Sequence, residues 1–342
     1  TDLGSAGTTL QRRPNDGTFG PLTGGDDGLV GLSDTDFVGN SAGGTGLRAM
    51  DQTIGIRILI VPGRATSAVH NSMITYAEVT RSMEMFAILD PPVGMTAAQI
   101  DAYVVSTASL RGLSEFGAIY WPNIKILNPS TTVFGKDSEI VVPPSGHIAG
   151  MYARTDASTP GGVYIPPAGE ETGRIIGATG VETEEVFDEN KRDVIFPDLI
   201  NPITKYPGAP IHCDGARTLK DNGNFPTIGE RRGVIFIEQS CKDFLRVFKH
   251  KNNNEALRAT VDRSVTSFLL IQMNNDAFQT KDPKTAFFVD VGAALNPPSV
   301  VFARQLIIRL GLATNKPAEF IILRVSQDTR ALEEELAAAA AA

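Results

Sequence analysis

The stretch Ile56-Arg57-Ile58-Leu59-Ile60-Val61-Pro62-Gly63 decides the fold class. Its apolar run, broken only by Arg57, stops at a Pro-Gly breaker, which is the pattern of a short strand buried on both faces of a parallel sheet. A parallel strand needs a helical return, and Val69, Met73, Tyr76, Ala77 and Met83 supply helical spacing directly after it. Phe86-Ala87-Ile88-Leu89, closed by Asp90-Pro91-Pro92, is the next strand. Thr96 then caps a second periodic segment through Ile100, Tyr103, Val104 and Ala108, and residues 117–121 form a third strand. Strands alternating with helices predict a parallel sheet with right-handed crossovers.

Further along, Ser145 is placed to cap a helix over 146–155, ahead of a Pro- and Gly-rich loop over 159–173. An acidic run (Glu182, Glu184, Glu185, Asp188, Glu189) leads into a proline-punctuated stretch from 196 to 208, where a domain boundary is expected. Beyond it Val234, Ile237, Cys241, Phe244, Leu245 and Phe248 keep helical spacing, Asn252-Asn253-Asn254 breaks it, and Leu257, Val261, Val265 and Phe268 resume it. Residues 287–291, 300–312 and 319–325 are expected as strands, two of them joined across a turn at 314–317. The expected class is therefore α/β, a parallel-sheet α/β core domain (22–195) followed by a smaller α+β C-terminal domain (196–330). A loop segment (1–21) precedes them and a partly poly-Ala tail (331–342) follows; both ends read as the margins of a longer protein.

Composition removes several function classes. The 342 residues, 42% hydrophobic and 20% charged, suit a globular chain with real cores. Thirty-one Lys and Arg against 39 Asp and Glu leave a net charge of -8, which argues against a direct nucleic-acid partner or an anionic membrane. Apolar runs such as 268–271 fall far short of the roughly 20 residues that cross a bilayer, so no membrane insertion is expected. Two cysteines, Cys213 and Cys241, and four scattered histidines make neither a disulfide framework nor a metal cluster. No cofactor and no metal are expected.

Each motif with chemical potential has a plainer reading. Gly43-Gly44-Thr45-Gly46 lacks the Lys-Ser/Thr pair of a P-loop and reads as a turn. Ser145, His147 and Asp156 supply the residue types of a hydrolase triad, yet no nucleophile elbow surrounds Ser145, so helix capping is the better assignment. Asp90, at the C-terminal end of a parallel strand, is the best single catalytic candidate, but it has no evident partner. The acidic run lacks the spacing of an EF-hand and reads as a solvated or charge-paired surface. Lys242, Arg246, Lys249, His250 and Lys251 form the one basic stripe, opposite an apolar face.

Several segments in collinear order carry a resemblance. Leu22-Thr23-Gly24-Gly25-Asp26-Asp27-Gly28 comes first, then residues 141–156 (Val141-Val142-Pro143-Pro144-Ser145-Gly146-His147 and on to Asp156). Ile200-Asn201-Pro202-Ile203 with Tyr206-Pro207-Gly208, Gly215-Ala216-Arg217-Thr218-Leu219, Arg231-Arg232, and Pro317-Ala318-Glu319-Phe320-Ile321 follow. From about residue 22 to 326 the chain resembles the contractile tail sheath proteins of bacteriophages and related injection machines. It departs at 248–252, where Phe248-Lys249-His250-Lys251-Asn252 replaces the family's Phe-Glu-Pro-Asn-like turn. The resemblance implies a non-enzymatic virion protein, assembled in the host bacterial cytoplasm as a helical homo-oligomer around an inner tail tube protein, with baseplate and tail terminator proteins as further partners. It implies that Lys242, Arg246 and Lys249 face the tube, and that Phe320, Ile322 and Arg324 mark a strand edge that recruits neighbouring subunits. The rival readings are a parallel-sheet α/β hydrolase, needing Asp90, Ser145 and His147 to converge, and a non-contractile shell or tube subunit.

Overall fold

The computed structural model describes residues 28, 31–129, 137–183 and 194–319. A short helix, α1 (Asp34–Val38), precedes the first βαβαβ run: β1 (Ile58–Ile60), α2 (Ser67–Thr75), β2 (Phe86–Leu89), α3 (Ala97–Ala102) and β3 (Gly117–Trp121). The three strands are parallel, with Ile58 opposite Phe86 and Ala87 opposite Gly117. Thr66 caps α2 through Val69, and Thr96 forms a capping box with Gln99 at α3, as its sequence predicts. Every residue of β2 and β3 is buried.

Two expectations in this run change. The stretch starting at Ile56 yields a strand at the edge of the sheet, with only Leu59 fully buried, because no further strand pairs with β1 among the described residues. Met83 lies off the buried face. Helix α2 runs into a single π-helical turn, Tyr76–Thr80, whose extra residue shifts the register, and Met83 follows at φ 66° with its side chain half exposed. Helix α3 ends in the same way at Tyr103–Thr107.

The sheet is completed from beyond the expected domain boundary. Strand β4 (Ile124–Leu127) pairs antiparallel with β5 (Glu139–Val142), which leads into helix α4 (Ser145–Ser158) and the short α5 (Gly169–Thr172); β6 (Ala178–Val181) pairs with the other edge of β4. Then β7 (Ile200–Thr204) joins β3 in parallel and β8 (His212–Cys213) closes the order β1-β2-β3-β7-β8. Ile200, Ile203, Leu219 and Ile228 share a hydrophobic cluster with β2 and β3, so a boundary between 195 and 196 does not separate the two cores. The physical reason is the free edge of β3, which β7 satisfies. The small β5-β4-β6 sheet is absent from the sequence reading, since its strands are short and half-exposed.

The second cluster forms around a helical hairpin, α6 (Ile228–Leu245) and α7 (Glu255–Asn274), whose turn holds Asn252–Asn254 and whose second helix is capped by Asn254. Ile237, Cys241, Val261, Val265 and Leu269 pack there with Phe278 and Phe287. Helix α8 (Pro283–Ala286) leads into β9 (Phe287–Asp290). The expected strand over 300–312 divides instead. Pro297 and Pro298 start helix α9 (Pro298–Phe302), Arg304 breaks it at φ 61°, and only β10 (Arg309–Leu312) is extended, antiparallel to β9. The expected strand at 319–325 lies, apart from Glu319, outside the described residues. No described helix is long and apolar enough to cross a membrane.

Candidate functional site

The groups a hydrolase would need are only partly together. Asp90, leaving the C-terminal end of β2, points at the start of α4: its Oδ1 accepts the Ser145 amide at 2.8 Å and its Oδ2 accepts the Ser145 hydroxyl at 2.7 Å. Both residues are buried, and burial pushes the Asp90 carboxyl up to about 6. Pro144 occupies the N-cap position and Ser145 is the first helical residue, so the capping expected of Ser145 passes to the Asp90 carboxylate. Among the described residues no hydrogen bond joins His147 to Ser145; His147 is half-buried, which lowers its pKa. A buried hydroxyl donated to a buried carboxylate, with no histidine hydrogen-bonded to it among the described residues, is a staple between strand and helix.

The other motifs also resolve into structure. The glycine-rich turn folds back on α1: Thr45 Oγ1 accepts the Asn40 amide, and a Cβ on Gly46 would strike the Phe37 carbonyl, so glycine is there for close packing. Glu182, the described member of the acidic run, accepts from the Gly94 amide (2.9 Å) and Asn123 Nδ2 (2.8 Å). It ties the loop after β2 to the end of β6. Glu184, Glu185, Asp188 and Glu189 lie outside the described residues. Among the described residues no group of three or more potential ligands could hold a metal.

The concentrated electrostatics sit at the first turns of α6, which sequence reasoning entered only at Val234. Thr227 and Glu230 form a capping box, the legible signal that was missed. The remaining Glu230 oxygen accepts the Thr314 hydroxyl at 2.7 Å and meets Lys316 Nζ at 3.4 Å, drawing the segment after β10 onto the helix. Arg231 is buried between the rings of Phe116 and Phe225, 4.3 and 5.2 Å away, and pairs with Glu115 at 3.5 Å and Glu238 at 3.2 Å. Arg232 lies over the Tyr152 ring at 4.3 Å and bonds Asp156 at 2.5 Å, while the Tyr152 and Tyr120 hydroxyls bond each other. Asp156 is thus an arginine partner. Arg217 stacks on Phe196 at 3.8 Å and forks onto Glu319 at 2.5 Å. Helix α6 contributes Ile228 and Ile235 to the first core and Ile237 and Cys241 to the second, so this charge cluster lies where one rigid element joins both.

The basic stripe is exposed. Lys242 and Arg246 lie on the outer side of α6 and of the 3-10 turn Arg246–Phe248 that ends it, with Lys249, His250 and Lys251 following, and Cys241, Phe244 and Phe248 turned inward. Lys242 stands 3.7 Å from Glu84, Arg246 3.0 Å from Asp243, and Lys251 5.1 Å from the Phe248 ring. These partners hold the cations loosely and leave them facing solvent. Phe320, Ile322 and Arg324 lie outside the described residues.

Solved structures share this fold. A chain of the anti-feeding prophage (AFP) baseplate in contracted state is 25% identical over 82% of this chain and 74% of that one, with a TM-score of 0.67. A chain of the PVC sheath complex in contracted state, from an extracellular contractile injection system, is 22% identical over 84% and 76%, at 0.67. A chain of the AFP helical sheath in contracted state is 24% identical over 80% and 70%, at 0.64. No protein-family model matches the chain, and no curated protein matches it by sequence. The fold is that of contractile-injection-system chains.

Proposed function

We propose that this chain is a structural subunit of a contractile sheath, a helical homo-oligomer stacked in rings around an inner tube whose shortening drives the tube through a target envelope. The observation that carries this reading is the shared fold over four fifths of the chain with chains of a PVC sheath complex and an AFP helical sheath. The site geometry agrees in kind: Asp90, Ser145 and the arginines of α6 are spent on packing and helix capping. No catalytic centre is needed for contraction. A lattice that gains contact free energy in its compact form can shorten without nucleotide, provided each subunit moves as a stiff body between two sets of contacts. A helix shared by two cores, fixed by buried arginine pairs, supports such stiffness.

In this reading the tube is the partner of Lys242, Arg246 and Lys249, the apolar segment at 320–325 recruits extensions of neighbouring subunits, and baseplate and terminator proteins bound the polymer's ends. The α6–α7 hairpin with β9 and β10 acts as the smaller C-terminal unit. The particle is a phage tail or a related injection machine assembled in the bacterial cytoplasm. Co-expression with the cognate tube protein, followed by negative-stain microscopy, tests it: striated cylinders of two lengths are expected. Monodisperse monomers beside bare tubes, at concentrations where the chain is folded, would overturn it.

A further inference from the structure

The sequence contains a single Asn-Gly pair, Asn222-Gly223, in the exposed turn that precedes α6. The Asn222 carboxamide bonds to no described residue, and the Gly223 amide donates to none. The turn is nevertheless pinned on its other side: the Asn224 amide donates to Glu115 Oε1 at 2.5 Å, and Glu115 Oε2 faces buried Arg231 at 3.5 Å. A Cβ on Gly223 would run into the Glu115 carboxylate, which Arg231 and Asn224 hold in place. Glycine is therefore demanded by packing, and the chain cannot shield Asn222 with a bulkier successor.

From this geometry we propose that Asn222 is a spontaneous deamidation site of the folded chain, and that its product loosens the turn holding Glu115 against Arg231. The Gly223 backbone nitrogen, giving up its proton to hydroxide, attacks the Asn222 side-chain amide carbon. The bond from that carbon to Nδ2 breaks, ammonia leaves, and a five-membered succinimide closes. Water then opens the ring at either carbonyl, leaving aspartate or isoaspartate; one water is consumed and one ammonia released. Either product places a carboxylate beside the residue that packs on Glu115, and isoaspartate also lengthens the backbone by a methylene next to Asn224. The new carboxylate repels that of Glu115, and the Asn224–Glu115 bond is the contact that gives way.

The test is ageing of the folded chain at mildly alkaline pH, with peptide mapping by mass spectrometry and thermal unfolding of aged and fresh samples, alongside Asn222→Gln and a urea-denatured control. Conversion at residue 222 ahead of all other asparagines is expected, with a lower melting temperature in the aged wild type and none of that loss in Asn222→Gln. Retention of the amide at 222 in the folded chain while the denatured control converts would overturn the proposal. So would full conversion with no change in melting.

Discussion

Replacing Asp90 separates two opposing forces at the start of α4. The carboxylate accepts both the amide and the hydroxyl of Ser145, whose side chain is fully buried. In Asp90→Ala both donors lose their acceptor, and with the lost cap the expected destabilisation is roughly 2–4 kcal/mol. Asp90→Asn keeps one acceptor oxygen and carries no charge. The pH dependence follows from burial, which raises the carboxyl to about 6 from the 3.8 of an ordinary aspartate. Folding therefore favours the protonated form. The stability this group contributes is complete below 3.8 and is lost as pH rises through 6. The gap from 3.8 to about 6, at about 1.4 kcal/mol per pH unit, makes the loss about 3 kcal/mol at most. Urea denaturation of wild type and Asp90→Asn from pH 4 upward isolates this one group, because every other carboxylate is common to both. The advantage of Asp90→Asn should grow with pH and level off above neutrality. A constant difference, or a wild type that gains on the variant as pH rises, would refute the reasoning and mean that Ser145 and the helix terminus outweigh desolvation.

Three other outcomes are expected. Arg231→Ala should cost about 3–5 kcal/mol in chemical denaturation, because the largely covered Glu115 is left without its cation and the site without its filling side chain, and Arg231→Met should recover part of it by restoring bulk; equal losses for both would show that the lost charge, not packing, decides. Burial raises both thiols, Cys241 to about 11 and Cys213 further, so neither should react with a thiol reagent at mildly alkaline pH until the chain unfolds; rapid labelling of the native protein would contradict the burial. Charge reversal at Lys242, Arg246 and Lys249 together should change stability by no more than about 1 kcal/mol, since the pairs to Glu84 and Asp243 are exposed, yet impair sheath formation on tubes, with wild-type assembly weakening at high salt. Normal yields of sheathed tubes from the triple variant would remove these residues from the tube interface.

Local order was legible in the sequence wherever one segment carried its own signal. Phe86–Leu89 and Gly117–Trp121 are strands because buried apolar runs between breakers have few alternatives, and Thr96 caps α3 because its hydroxyl reaches a backbone amide three residues on. The helical hairpin broken at Asn252–Asn254 was equally plain, as was the exposed face bearing Lys242 and Arg246. Tertiary structure decided what depends on partners distant in the chain. Whether Ile58–Ile60 is central or at an edge depends on what pairs beside it, and β7 belongs to the first sheet only because β3 presents it an open edge. Asp90 and Ser145 are 55 residues apart, Glu115 and Arg231 more than a hundred, and no periodicity encodes such meetings. The apolar spacing that forms an element acts within a turn or two of chain, whereas the partner of a buried charge is chosen by desolvation, which has no value until the surrounding fold has excluded water.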